Sequence, residues 1–322
     1  MFEIADRLFL FSKPFCFLPG SKSYLCTPVL NNLKVLRNYL SLIKFSHTIF
    51  ALPFALLGFF LAYLQGSSPF SLRLLLLVLA CMVFARTAAM AFNRYLDRRF
   101  DSLNPRTSIR EIPAGIVTPG SALTLVIGSS LMFVFCTWLI NPLCFTLSPV
   151  ALAVILGYSY TKRFTALCHL VLGLGLSLAP IGAYLALAGR FDWLPLLYSA
   201  AVLCWVSGFD IIYALQDEEF DKAHQLHSLP ALFGKAGALN LSVLLHLLCG
   251  LFLFFAVYLE SALYPEFGWL HWLAAAFFAG LLVYQHTLVR PDDLSRVGLA
   301  FATTNGIGSV VFSVLVILDI FI

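Results

Sequence analysis

Charge is scarce in this chain: only 11% of its 322 residues are Asp, Glu, Lys or Arg, whereas a soluble domain carries about 25%. That shortage excludes an ordinary soluble enzyme and a disordered protein. None of the eight cysteines stands in a CxxC pair, so neither a zinc ribbon nor a secreted disulfide scaffold is indicated. The nucleotide-binding GxGxxG, the phosphate loop GxxxxGK and the zinc-protease HExxH are all missing. The formal charge is only +4 and no basic run is interleaved with aromatics, so nucleic acid is not an expected partner.

What remains is apolar. Hydrophobic residues make up 61% and mean hydropathy is +0.91, which leaves an all-α polytopic membrane protein. A span needs about 20 mostly apolar residues. Nine candidates fall at roughly 42–64, 72–93, 121–140, 143–160, 167–188, 194–214, 237–259, 267–288 and 298–321. Pro53, Pro149 and Pro180 stand inside them. Gly173, Gly175 and Gly182 are expected to let helices approach closely. Residues 1–36 alternate short apolar pieces with Lys, Pro and Gly, are too broken to span, and read as an extension of unknown role before a membrane domain at 37–322.

The basic residues are sorted by side. Six lie before or at the first span, five after the second (Arg94, Arg98, Arg99, Arg106, Arg110), and two each after the fourth (Lys162, Arg163), the sixth (Lys222, Lys235) and the eighth (Arg290, Arg296). These are 17 of 20, and the positive-inside rule makes their face, with the N-terminus, cytoplasmic. The expected location is the inner or plasma membrane, with lipid as the surrounding partner, no obligate protein partner, and chemistry on the cytoplasmic side. Asp97 and Asp101 after span two are matched 120 residues later by Asp217 and Asp221 after span six, which suggests two four-helix pseudo-repeats plus a ninth helix.

Those acids carry the chemistry. In Asn93-Arg-Tyr-Leu-Asp97-Arg-Arg-Phe-Asp101 the spacing is four and four, which on a helix aligns three oxygen-bearing side chains on one face. Asp217 and Asp221 repeat it, with Asp210 one or two turns earlier and Glu218 and Glu219 read as a solvated face. One such pair alone reads as a charged helix end; two at equivalent places in a membrane protein ask for a common purpose. Mg²⁺ takes oxygen ligands and typically uses one or two carboxylates plus substrate phosphates. Two facing stripes therefore describe a diphosphate clamp, with Arg94, Arg98, Arg106, Arg110, Lys162 and Arg163 available for phosphate oxygens. Arg86, two turns before Asn93, is expected to face the bundle interior, either touching substrate or pairing with Asp210. A secondary transporter is the alternative from another class, but it would place acids at mid-helix on broken helices.

The motifs resemble the NxxxDxxxD and DxxxD signatures of the UbiA superfamily of intramembrane aromatic prenyltransferases. Asn104-Pro-Arg106-Thr-Ser-Ile-Arg110-Glu-Ile-Pro113-Ala-Gly115 is similar to its RTxxRPLPSG loop, Tyr158-Ser-Tyr-Thr-Lys162-Arg163-Phe-Thr165 to its YPxxKRxT segment, and Ser228 to Gly234 to its SxxxxFG. Tyr213-Ala-Leu-Gln-Asp217-Glu-Glu-Phe-Asp221 resembles the 4-hydroxybenzoate polyprenyltransferase branch and its relatives in the futalosine route to menaquinone. The resemblance implies nine helices and transfer of a polyprenyl group from its diphosphate to an aromatic acid, in ubiquinone or menaquinone formation. It implies Mg²⁺ on Asn93, Asp97, Asp101, Asp217 and Asp221, catalytic roles for Asp97, Asp217, Tyr158 and Asp210, and substrate contacts from Lys44, Arg86, Arg94, Arg106, Arg110, Lys162, Arg163 and Tyr213. Two segments depart from the branch: Lys44-Phe-Ser-His47 replaces its Arg-Leu-Asp-Lys-Pro, and Cys168-His169 replaces a common Pro-Gln. Dihydroxynaphthoate and haem prenyltransferases are the alternatives within the superfamily.

Overall fold

A computed structural model describes residues 37–66, 69–265 and 267–322, with the backbone alone at 45–47. The extension at 1–36 and the side chain of His47 lie outside the described residues. The chain is nearly all helix. A 3-10 stretch Phe45–Phe50 leads into α1 (Leu52–Leu64), followed by α2 (Leu72–Leu103), α3 (Pro119–Ile140), α4 (Pro142–Thr161), α5 (Cys168–Ala188) and α6 (Trp193–Ala214). Short α7 (Glu218–Ala223), α8 (Leu229–Leu263), α9 (Leu270–Leu288), a π turn Leu299–Thr303 and α10 (Thr304–Asp319) complete it.

Local sequence sets the helix starts. Ser71, Thr118, Asn141 and Ser228 each accept a backbone N–H three residues on, satisfying a donor the helix leaves unpaired. Pro119, Pro142 and Pro230 follow three of these caps at first-turn positions, where a missing N–H costs nothing. Pro53 has the same role: it marks the start of α1 rather than a kink inside a span.

Among the described residues, seven helical stretches are long and apolar enough to cross a membrane: α2, α3, α4, α5, Trp193–Ala223, α8 and Leu299–Asp319. The protein is thus an integral membrane protein by composition and length. The first expected span is broken, because the 3-10 stretch precedes α1 and only Thr48–Leu64 remains as a shorter apolar helix. The eighth, α9, is not among the seven.

α6 is the hub, packed against α5 on one side and α8 on the other. Its Trp205 sits among Phe54, Phe209 and Phe278 with ring centroids 5.3–5.5 Å apart, and its indole N–H reaches Asn305 Oδ1 at 2.8 Å. Tyr198 and Phe312 extend this core. Of the three glycines singled out above, only Gly173 is required by proximity: a Cβ there would lie 2.2 Å from Ser207 Oγ and 2.6 Å from the Leu203 carbonyl. Gly175 has ordinary contact distance to Ile155, and Gly182 faces open space. A smaller apolar cluster of Leu42, Ala91, Ile112, Val117, Ala122 and Val126 pins the loop after α2 onto α2 and α3. That anchor fixes where Arg106 and Arg110 stand.

Candidate active site

Polar side chains converge on one cavity of about 790 Å³. One face of α2 supplies Arg86, Met90, Asn93, Arg94, Asp97 and Asp101, a three-and-four spacing that keeps them on one side of the helix. Across from it stand Phe209, Asp210 and Tyr213 of α6, then Asp217 and Asp221. Tyr158 and Lys162 enter from the end of α4, His169 from the start of α5, and Lys44 from before the 3-10 stretch. Every described residue assigned above to catalysis, metal or substrate thus lines one cavity, except Arg98, which turns away to donate to the Tyr95 carbonyl.

The second acidic motif is not one stripe on one α-helix. α6 ends at Ala214, a 3-10 turn spans Leu215–Asp217, and Asp221 belongs to α7. The change of winding moves Asp217 off the register that i, i+4 spacing gives, while both side chains still reach the cavity. Glu218 is also corrected: it is buried and bonded to Lys222 Nζ at 2.6 Å, not part of a solvated face. Glu219 is exposed.

Each motif aspartate holds a cation from another segment. Arg106, in the loop after α2, forks onto Asp217, with Nε 3.1 Å from Oδ1 and Nη2 on Oδ2, while its Nη1 donates to Tyr213 Oη at 2.8 Å. Two parallel N–H···O bonds make this the strongest kind of pair. Asn104 Nδ2 adds a third donor to Asp217 at 3.2 Å. Arg110 Nη1 meets Asp101 Oδ1 at 2.7 Å, and Lys162 Nζ meets Asp221 Oδ1 at 2.7 Å. Arg163 lies 3.6 Å from Asp97 Oδ1, and Asn93 donates its amide to Asp97 Oδ2 at 3.0 Å. Four of the six cations assigned to phosphate, Arg106, Arg110, Lys162 and Arg163, are therefore already engaged with the acids. Burial works against the charge on Arg106 and Lys162, but Asp217 with Tyr213, and Asp221, outweigh it and hold both cations above their ordinary pKa.

The neutralisation is incomplete. Asp101 Oδ2 and Asp221 Oδ2 are buried and have no hydrogen-bond partner among the described residues. A buried carboxylate oxygen left bare is costly unless something positive joins it. Among the described residues no group of three or more His, Cys, Asp or Glu side chains is arranged to hold an ion by itself. Mg²⁺ keeps waters and completes its shell with substrate phosphates. An all-oxygen donor set with open carboxylate oxygens fits such a hard cation.

Deeper along α2 the polarity changes sign. Arg86 lies eleven residues before Asp97, about 16 Å along the helix axis at 1.5 Å per residue. Its Nε and that of the buried Arg94 lack hydrogen-bond partners among the described residues. Asp210 does not pair with Arg86; its Oδ2 meets His169 Nδ1 at 2.7 Å. Aromatic rings line the way between the ends: Phe209 lies 5.6 Å from Phe50 and 5.4 Å from Phe301, and Tyr213, 4.3 Å from Phe301, links this cluster to Arg106 and the acids.

Two site residues carried little sequence signal. His169 reads as a packed histidine until Asp210, 41 residues away, is placed beside it. Glu111, in the loop motif, lines the cavity, takes a 2.5 Å hydrogen bond from Ser41 and leaves Oε2 unpaired.

The UbiA prenyltransferase family matches residues 51–307. A 4-hydroxybenzoate octaprenyltransferase of Nitrosospira multiformis is 30% identical over 76% of this chain and 83% of its own, and one of Aeromonas hydrophila is 34% identical over 75% and 83%. Among solved structures, the apo UbiA homolog from Aeropyrum pernix K1 shares 31% identity at a TM-score of 0.72, covering 85% of this chain and 97% of that one. A UbiA homolog from Archaeoglobus fulgidus bound to GPP and Mg²⁺ has the same fold, with a TM-score of 0.70 at 20% identity over 88% and 100%. The chain belongs to the UbiA prenyltransferase family.

Proposed function

We propose that this protein transfers a polyprenyl group from polyprenyl diphosphate to 4-hydroxybenzoate, forming 3-polyprenyl-4-hydroxybenzoate for ubiquinone or menaquinone synthesis. The single observation that carries the reading is the cavity's division: acids and their cations at one end, Arg86 with its unpartnered Nε and aromatic rings at the other. The named relatives support the acceptor. The site is the cytoplasmic mouth of a nine-helix bundle in the inner or plasma membrane, a placement supported by the sorted basic loops.

Asp97, Asp101, Asp217 and Asp221, with Asn93 beside Asp97, would hold Mg²⁺. Bound there, the ion would supply charge neutralisation and orientation for the diphosphate. Arg106, Arg110, Lys162 and Arg163 lie on the same rim and would take up charge as it builds on the leaving oxygens. The allylic C–O bond breaks with its electron pair going to diphosphate. The ring carbon next to the phenol attacks the prenyl carbon, and loss of the ring proton restores aromaticity. Tyr158 and the phenylalanines line the cavity and would offer ring faces to the allylic cation, whereas the Tyr213 ring already has the Arg106 guanidinium 5.2 Å over it.

At the deep end, Arg86 has a buried Nε without a hydrogen-bond partner among the described residues, the complement of a carboxylate, whereas Arg94 stands between Asn93 and Asp97. Asp210 would accept the acceptor's hydroxyl, and Lys44 lines the same cavity. A hydrogen bond to a charged group contributes about 1.5–3 kcal/mol, so Arg86→Gln is expected to raise KM for the acid about 10- to 100-fold. The KM for diphosphate stays within about threefold, because on the order of 16 Å of helix separates the two ends. Steady-state kinetics with each substrate varied in turn measures both.

An acceptor screen tests the function itself. The 4-hydroxybenzoate reaction is expected to exceed those with dihydroxynaphthoate and haem. A preference for dihydroxynaphthoate would assign the chain to menaquinone synthesis by another acceptor. Turnover with none of these acids would remove the aromatic transferase reading.

A further inference from the structure

Asp210 sits seven residues before Asp217 on α6, about 10 Å deeper along the axis. A carboxylate at that depth in a membrane bundle needs a partner. The arginines of α2 do not provide it. The partner is His169, in the first turn of α5, whose Nδ1 is 2.7 Å from Asp210 Oδ2. The imidazole is buried, at 3% exposure, and its other nitrogen is also committed: Nε2 lies 3.4 Å from the backbone nitrogen of Leu229, the first residue of α8. An amide N–H can only donate, so Nε2 must be the lone-pair nitrogen. The proton therefore belongs on Nδ1, directed at Asp210. The hydrogen bond of one ring nitrogen sets the tautomer at the other. Leu229 N–H is one of the donors that every helix start leaves without an intrahelical acceptor, so the contact satisfies both sides.

Only one oxygen of Asp210 is used this way. Oδ1 has no hydrogen bond among the described residues, and the side chain keeps part of its surface open to the cavity that His169 and Asp210 both line. We infer that His169 is a positioning residue. Held by Leu229 at Nε2, it anchors Oδ2 of Asp210 and leaves Oδ1 presented to the hydroxyl of the aromatic acceptor. No bond is made or broken at His169. Its contribution is orientation: a carboxylate free to rotate would offer the phenol a poorer acceptor and leave its ring carbon less electron-rich. This inference rests on the reading of Asp210 given above. It concerns the acceptor alone, since the diphosphate is gripped about 10 Å away along the helix.

Three variants of the full-length protein in detergent or nanodiscs test it, with kcat and KM measured for both substrates. His169→Leu removes the donor and is expected to lower kcat/KM for 4-hydroxybenzoate tenfold or more, with KM for the diphosphate within threefold of wild type. His169→Gln keeps an N–H donor and is expected to stay within threefold on both. His169→Leu combined with Asp210→Asn is expected to be no worse than Asp210→Asn alone, because the two act as one unit. Equal losses in the Leu and Gln variants, additive losses in the double variant, or a matching rise in diphosphate KM would each overturn the inference. A second measurement does not depend on turnover: ¹⁵N NMR of histidine-labelled wild-type protein, with the His169 signal identified by its loss in His169→Gln. A neutral ring protonated at Nδ1 supports the inference, and one protonated at Nε2 overturns it. If wild type transfers prenyl to no hydroxybenzoate, the functional reading fails, and the tautomer still decides the role of His169.

Discussion

Asp217→Ala is expected to reduce prenyl transfer by on the order of 10³-fold or more, since each 1.36 kcal/mol of barrier is a factor of ten. The residue does two things. It is the acid on which the α2 loop closes, through the Arg106 fork and Asn104, and it is a carboxylate of the set that fits a divalent cation. Removing it leaves Arg106 with Tyr213 as its remaining partner and takes a ligand from an ion expected to contribute several kcal/mol to stabilising the leaving group. Asp97→Ala is expected to be comparably severe, although its ion pair to Arg163 is looser at 3.6 Å. Both variants should also raise the Mg²⁺ concentration needed for half-maximal rate. Glu219→Ala, an exposed neighbour, is expected to leave rate and Mg²⁺ dependence unchanged. Initial rates of pyrophosphate release across a Mg²⁺ titration measure all three.

The second large effect is on stability. Asp221 is fully buried, and Lys162 Nζ at 2.7 Å is its ion-pair partner. Removing one member of a buried pair is far worse than never having built it, because the remaining charge stays desolvated and alone. Lys162→Met is expected to cost about 3 kcal/mol, the low end of the range for buried pairs, because the lysine side chain is itself partly exposed. The loss appears as a lower melting temperature in detergent. The Lys162→Met, Asp221→Leu double variant is expected to recover most of it while remaining inactive. A Lys162→Met protein as stable as wild type would mean that water reaches Asp221 and that the pair contributes little.

The two acidic motifs were legible in the sequence because charge is so rare in this chain: against 11% charged residues, two spaced sets of aspartates stand out, and in a bilayer few explanations suit them. What depended on distant contacts was not. Arg106 and Asp217 are 111 residues apart, and nothing in either motif says that a loop arginine forks onto that acid before any substrate arrives. Asp210 had two plausible partners by type, and the choice of His169 over Arg86 depends on how α5 packs against α6. The break at Phe45–Phe50 was hidden because an apolar run has the same composition whether it winds as 3-10 or α. The 3-10 turn ending at Asp217 shows the limit of spacing arguments. The i, i+4 rule identified both acids of the second motif as site residues, but its register assumes a continuous α-helix, and the 3-10 turn Leu215–Asp217 interrupts it.

The most direct test of the account is the reaction of purified wild-type protein with Mg²⁺, a polyprenyl diphosphate and 4-hydroxybenzoate, followed by mass spectrometry of the aromatic product and by pyrophosphate release. The account predicts one pyrophosphate for each molecule of acid prenylated at the carbon next to the hydroxyl, and loss of both products when EDTA is added. Undiminished turnover in EDTA, or pyrophosphate release with no prenylated acid, would contradict it.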